Sequence, residues 1–121
     1  MFLSADCGRT GVLTMKIRLI VPNCNRGVSP LVAYGPGIAR IAGGFTASQA
    51  TGGWIDDNRQ LIVEPVTVFD CNVDVDVTGL PRGNWIDVQA QFTVLAKRIA
   101  VELNQTCVFL EVDDIVRYVT K

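Results

Sequence analysis

The sequence predicts an α+β domain of the ferredoxin-like, split βαβ kind: an antiparallel sheet with two helices on one face. Three observations carry this. Residues 15–21 alternate apolar and basic and then turn fully apolar, as a strand does. Residues 45–75 form two extended runs around a single tight turn. Residues 84–104 hold one apolar stripe at helical spacing. In chain order the elements are strand, helix, strand, strand, helix, strand. Residues 1–14 show no periodicity and read as an N-terminal arm, leaving 15–121 as a single domain.

Each element has a local cause. Met15-Lys16-Ile17-Arg18-Leu19-Ile20-Val21 ends at Pro22-Asn23, and a Gly/Asn/Pro-rich loop follows to Ser29. Leu31, Tyr34, Ile38 and Ile41 have helical spacing, but Gly35-Pro36-Gly37 interrupts them. A proline inside a helix costs about 3 kcal/mol, so the sequence predicts only a short helix over 36–42, stopped by Gly43-Gly44. Residues 45–56 read as extended, Asp57-Asn58 as the turn, and 60–75 as the strongest strand. Pro65 inside that strand predicts a bulge or an edge register. Asn84 is a good N-cap, with Asp87 in the first turn. Val88, Phe92, Leu95, Ile99 and Leu103 then form the buried stripe, flanked by Ala96 and Ala100. Residues 106–112 read as a short buried strand, and 115–120 add a further one.

Composition narrows the chemistry. The chain has 121 residues, 49% hydrophobic and 19% charged, which fits one packed domain. It contains no histidine, which removes Ser-His and Cys-His nucleophile pairs, HExxH metal sites and imidazole acid–base catalysis. The net charge of −1 gives no basic excess for nucleic acid. Residues 1–41 carry five cations (Arg9, Lys16, Arg18, Arg26, Arg40) against Asp6, and 42–82 carry six anions against Arg59 and Arg82, so a fold that joins these parts can pair them. Cys7, Cys24, Cys71 and Cys107 form no CxxC pair and read as reduced thiols of a cytoplasmic protein. No apolar run is long enough to span a membrane, and the N-terminus does not read as a signal peptide.

Two carboxylates stand out by context. Glu64 interrupts the apolar run Leu61-Ile62-Val63-Glu64-Pro65-Val66, on the same strand face as Ile62 and Val66. It is either an exposed residue on a solvent face or a carboxylate at a groove or subunit boundary. Glu102 sits near a helix C-terminus, where a negative charge is mildly unfavourable. It is either solvated or functional. Gly52-Gly53-Trp54 can set backbone and an indole against a flat ligand, or can simply end a strand with a core Trp. The acidic pair Asp56-Asp57 is explained by turn chemistry, and neither it nor Asp113-Asp114 reads as a metal site.

Thr51-Gly52-Gly53-Trp54, Glu64-Pro65-Val66-Thr67-Val68 and Glu102-Leu103-Asn104-Gln105-Thr106-Cys107-Val108, in that order, resemble small phage proteins that degrade S-adenosylmethionine. Those proteins carry Thr-Gly-x-Tyr, a Glu before a Thr-Val strand, and Glu-x-x-Gln-x-Cys-Val. The resemblance covers residues 51–112, about half the chain. It implies a PII-like subunit, a homotrimer with ligand at the subunit boundaries, and a location in the host cytoplasm. It also implies a lyase reaction in which the substrate's own carboxylate displaces the sulfonium, giving homoserine lactone and methylthioadenosine. That reaction suits a chain without histidine, because no protein nucleophile, metal or cofactor is required. By the same resemblance Glu64 is the principal active-site carboxylate and Glu102 a second polar anchor, while Trp54, Gly53 and Gln105 contact substrate. Trp54 departs from the pattern, which has Tyr there; an indole N–H donates but offers no hydroxyl. Gly43-Gly44-Phe45-Thr46, with Gly52-x-Trp54 and Glu64-Pro65-Val66, is similar to a second set of phage and plasmid proteins. The alternative reading is therefore a non-catalytic, PII-like ligand-binding module.

Overall fold

The computed structural model describes residues 12–24, 27–76 and 84–121. The elements run β1 (Val12–Pro22), α1 (Pro30–Ala42), β2 (Thr46–Ile55), β3 (Leu61–Asp76), α2 (Asn84–Glu102), β4 (Cys107–Val112) and β5 (Ile115–Thr120). They form one five-stranded sheet in the order β2-β3-β1-β4-β5, with every neighbouring pair antiparallel. This is the ferredoxin-like order, extended at one edge by β5. β1 begins at Val12, three residues before the expected start, so only residues 1–11 of the expected arm lie outside the described residues.

The core lies between one sheet face and the helices. Met15, Ile17, Leu19 and Val21 of β1, Phe69, Cys71 and Val73 of β3, and Val108, Leu110 and Val112 of β4 point into it, as strand alternation requires. Phe92, Leu95, Ala96, Ile99 and Ala100 of α2 complete it, with Val88 and Leu103 packed at its rim. This is the stripe expected from the sequence. Burial pushes the Cys71 thiol up to about 12, so that cysteine is inert at neutral pH.

α1 is longer than expected. It runs from Pro30 rather than Pro36, and passes through Pro36 without a break. Ser29 caps it, its side chain accepting from the Val32 N–H at 3.3 Å, and Pro30 takes a first-turn position that needs no donor. Tyr34 and Ile38, one helical turn apart, are both buried and outweigh the hydrogen bond that Pro36 cannot make. Pro36 itself is exposed, so its ring meets no packed neighbour from the core. Gly43 ends the helix at φ +87°, its N–H donating to Ala39 O at 2.7 Å.

Pro65 causes no bulge. The β2–β3 register holds from Thr46↔Asp70 to Ile55↔Leu61 without a slip. The β1–β3 ladder ends at Pro22↔Val66, and Asn23 N–H then donates to Pro65 O at 2.9 Å. The Pro65 nitrogen lies on the same strand edge as that carbonyl, so its missing donor falls where β1 has already ended. Among the described residues, β3 from Glu64 to Leu61 is paired with β2 alone, as a two-stranded ribbon about 13 Å long. At the fork, Thr67 is fully buried and closes a ring of side chains. It donates to Asn23 Oδ1 (2.6 Å), Asn23 Nδ2 donates to Gln49 Oε1 (2.7 Å), and Gln49 Nε2 donates back to Thr67 Oγ1 (3.0 Å).

Turn chemistry accounts for both acidic pairs. Asp56 Oδ1 accepts from the Asn58 and Gln60 N–H groups at 2.8 and 2.9 Å. Asp113 and Asp114, both at positive φ, make the two-residue β4–β5 turn. The expected cross-pairing of charge occurs between strands, where Arg18 and Asp70 meet at 2.7 Å. Both are half exposed, so solvent screening leaves the pair weak.

The second face of the sheet carries no element among the described residues. Ile20, Ile62, Val68 and Phe109 lie on it half-buried, with Trp54, Val116 and Tyr118 exposed. Among the described residues no helix is long and apolar enough to cross a membrane.

Thr67→Val keeps the volume and removes the hydroxyl that joins Asn23 to Gln49. It is expected to lower stability by about 1–2 kcal/mol, read as a lower urea midpoint at unchanged m value.

Candidate ligand-binding site

The residues singled out in the sequence fall into two groups. The first lies on the ribbon. Glu64 sits directly opposite Gly52, and Trp54 opposite Ile62, so Glu64, Gly52 and Trp54 share the open sheet face. Gly52 has no side chain, which leaves a notch beside the carboxylate. A Cβ there would approach Val66 Cγ1 at 3.1 Å. Gly53 pairs with Val63 and faces the other way, so its backbone alone can serve a ligand beside Glu64. Trp54 is 44% exposed and is not a core tryptophan. Glu64 is half-buried, and this desolvation holds its carboxyl above the ordinary value of 4.5.

The second group lies at the end of the helix layer. α2 closes with a Schellman turn: Gln105 N–H donates to Ala100 O at 2.8 Å, and Asn104 N–H to Val101 O at 3.2 Å, with Asn104 at φ +51°. This turn places Glu102 on the last helical position and folds Gln105 back over it. Gln105 Nε2 donates to Leu103 O at 3.2 Å and approaches Cys24 Sγ at 3.7 Å. Glu102 lines a cleft of about 210 Å³ together with Pro22, Cys24, Pro30, Tyr34 and Leu103. Tyr34 Oη donates to Glu102 Oε1 at 2.8 Å. Arg98, one turn earlier on α2, reaches Glu102 Oε2 at 3.6 Å and stands over the Tyr34 ring at 5.9 Å.

The two groups do not meet within one chain. Glu64 projects from the open sheet face, whereas Glu102 belongs to the helix layer on the other side. Sequence reasoning gave Tyr34 a helical spacing but no role, because its contact with Glu102 spans 68 positions. It singled out Gly52 and Gly53 together; Gly52 is the one that faces Glu64, and only the strand register reveals this. Among the described residues no cluster of three or more Cys, Asp or Glu is arranged to hold a metal ion.

The raised Glu64 carboxyl sets a pH dependence. The folded state holds this proton more tightly than the unfolded chain. Its contribution to stability is therefore full below about pH 4.5 and is lost as pH rises through the higher folded value. Glu64→Gln is expected to remove this component, giving a flatter stability profile across that window by urea unfolding.

No protein-family model matches the sequence, and no curated protein does. Solved structures do match. A phage SAM lyase in complex with S-methyl-5′-thioadenosine superposes with a TM-score of 0.66 at 18% identity, covering 95% of this chain and 95% of that one. A phage SAM lyase in the apo state superposes with a TM-score of 0.55 at 20% identity, over 88% and 89% of the two chains. The chain has the fold of these phage SAM lyases, along nearly its full length.

Proposed function

We propose that the protein is an S-adenosylmethionine lyase acting as a homotrimer, with each site formed at a subunit boundary. The observation that carries the reading is the likeness in fold, over 95% of both chains, to a phage SAM lyase that holds S-methyl-5′-thioadenosine. The ordered Glu64 and Glu102 segments of the sequence support it.

The reaction balances without help from a protein nucleophile. A carboxylate oxygen of the substrate attacks its own γ-carbon, and the carbon–sulfur bond breaks with its electron pair going to sulfur. The products are homoserine lactone, still carrying its ammonium, and neutral methylthioadenosine. No proton moves. The protein's task is to hold the chain of the substrate folded so that the oxygen faces the carbon in line with the departing sulfur. Glu64 takes the ammonium or a ribose hydroxyl. Engaging the ammonium keeps it from neutralising the attacking carboxylate. The Gly52 notch leaves room beside Glu64, and Trp54 offers its indole face to the purine. Glu102 anchors the far end of the ligand.

The geometry supports a site at a boundary. Glu64 and Glu102 project to opposite sides of the sheet, so a ligand that touches both lies between copies of the chain. The exposed apolar sheet face and the bare ribbon are surfaces that such an assembly would cover. Consumption of S-adenosylmethionine would deprive host restriction–modification systems of their methyl donor, which is an anti-restriction activity.

Trp54, which lacks the family's hydroxyl, favours the second reading, a ligand-binding module without turnover. One experiment separates the two. Purified protein incubated with S-adenosylmethionine is expected to release methylthioadenosine and homoserine lactone, and Glu64→Gln to lower the rate about 100-fold or more while the assembly persists. Binding without product would support the module, and a monomer by light scattering would contradict the trimer. Gly52→Val, which fills the notch, is expected to weaken S-adenosylmethionine binding about tenfold or more by calorimetry.

A further inference from the structure

We infer that Tyr34 is a positioning residue for Glu102. The inference deepens the lyase reading and rests on it.

The Tyr34 side chain is only 5% exposed, on the buried face of α1 one turn before Ile38. Its ring is therefore fixed, and its hydroxyl reaches the cleft at a set position. The hydroxyl donates to Glu102 Oε1 at 2.8 Å. The Glu102 side chain is itself half exposed and stands at the last position of α2. Left alone, a glutamate there would sample several rotamers in water. Held on one oxygen by a buried phenol, and flanked on the other by Arg98 at 3.6 Å, it presents its remaining lone pairs in one direction. The other described lining residues include Pro22, Cys24, Pro30 and Leu103, so among the described residues this carboxylate and phenol stand in a largely apolar lining.

The chemistry of that pair selects a ligand group. A carboxylate only accepts hydrogen bonds. The lone pairs left on Glu102 therefore call for a donor: an ammonium or hydroxyl of the ligand. An anionic group is disfavoured there. The hydrogen bond is charge-assisted and stronger than one between neutral groups, so its loss should appear in ligand affinity as well as in rate.

The test is a double-mutant cycle with Tyr34→Phe, Glu102→Ala and the two together, in the full-length chain. Phenylalanine keeps the ring, its packing and the Arg98 contact. Tyr34→Phe is expected to keep the melting temperature within a few degrees and to lower kcat/KM for S-adenosylmethionine about tenfold, equivalent to about 1.4 kcal/mol. In the Glu102→Ala background the same change is expected to have an effect of about twofold or less, because no carboxylate remains to be held. A protein that binds without turning over is read through the same cycle on Kd from calorimetry. An unchanged kcat/KM or Kd in Tyr34→Phe would overturn the inference, as would an equal loss in both backgrounds. A wild-type protein that neither binds nor consumes S-adenosylmethionine would overturn the lyase reading itself, and that result is visible before any variant is made.

Discussion

The architecture depends on where β1 stops. Pro22 ends the β1–β3 ladder opposite Val66. Pro65, next on β3, has no donor on the edge where β1 would have continued. β1 therefore departs into the loop towards α1, while β3 goes on with β2 as its only partner. Everything of functional interest lies at this fork. The departing chain contributes Pro22 and Cys24 to the cleft. The strand that continues carries Glu64 outward on the ribbon. The ring of Asn23, Gln49 and Thr67 ties the two branches together at their junction.

The fork also bears on the proposed assembly. A ribbon of two strands with exposed Ile55, Leu61 and Val63 cannot shield its own apolar groups. On the open sheet face Tyr118 is exposed and meets Phe109 edge-to-face at 5.9 Å. Meanwhile the carboxylates occupy different layers of the subunit. The proposed trimer answers all three: in it, the ribbon of one subunit would meet the cleft of the next. It also suits the proposed chemistry, in which the substrate attacks itself. With the nucleophile supplied by the substrate, the protein would have only to clasp a flexible molecule from two sides. The absence of histidine then carries no penalty.

Much of this was legible in the sequence. The stripe from Val88 to Leu103 and the alternation around Glu64 each follow from a single strong period, and both occur as the period dictates. Two features were hidden, for different physical reasons. The first half of α1 was lost because local propensity weighs Gly35-Pro36-Gly37 heavily, whereas burial of Tyr34 and Ile38 decides the outcome. Of the bulge or edge register expected at Pro65, the edge register is the outcome, because β1 ends there, and no local signal reports that end. Choosing between Gly52 and Gly53 required the register, which depends on pairing between strands. The partner of Glu102 required tertiary structure, since Tyr34 lies 68 positions away.

The central claim, a site shared between copies, is tested most directly by complementation. Glu64→Gln and Glu102→Gln subunits are unfolded, mixed in equal amounts and refolded together, and S-adenosylmethionine turnover is measured. A site with Glu64 from one subunit and Glu102 from its neighbour is restored in some mixed trimers. Random assembly around a ring then leaves about a quarter of the sites with both carboxylates, so turnover rises above the average of the two impaired parents. A mixture no more active than that average, with mixed trimers shown to have formed, would contradict the account.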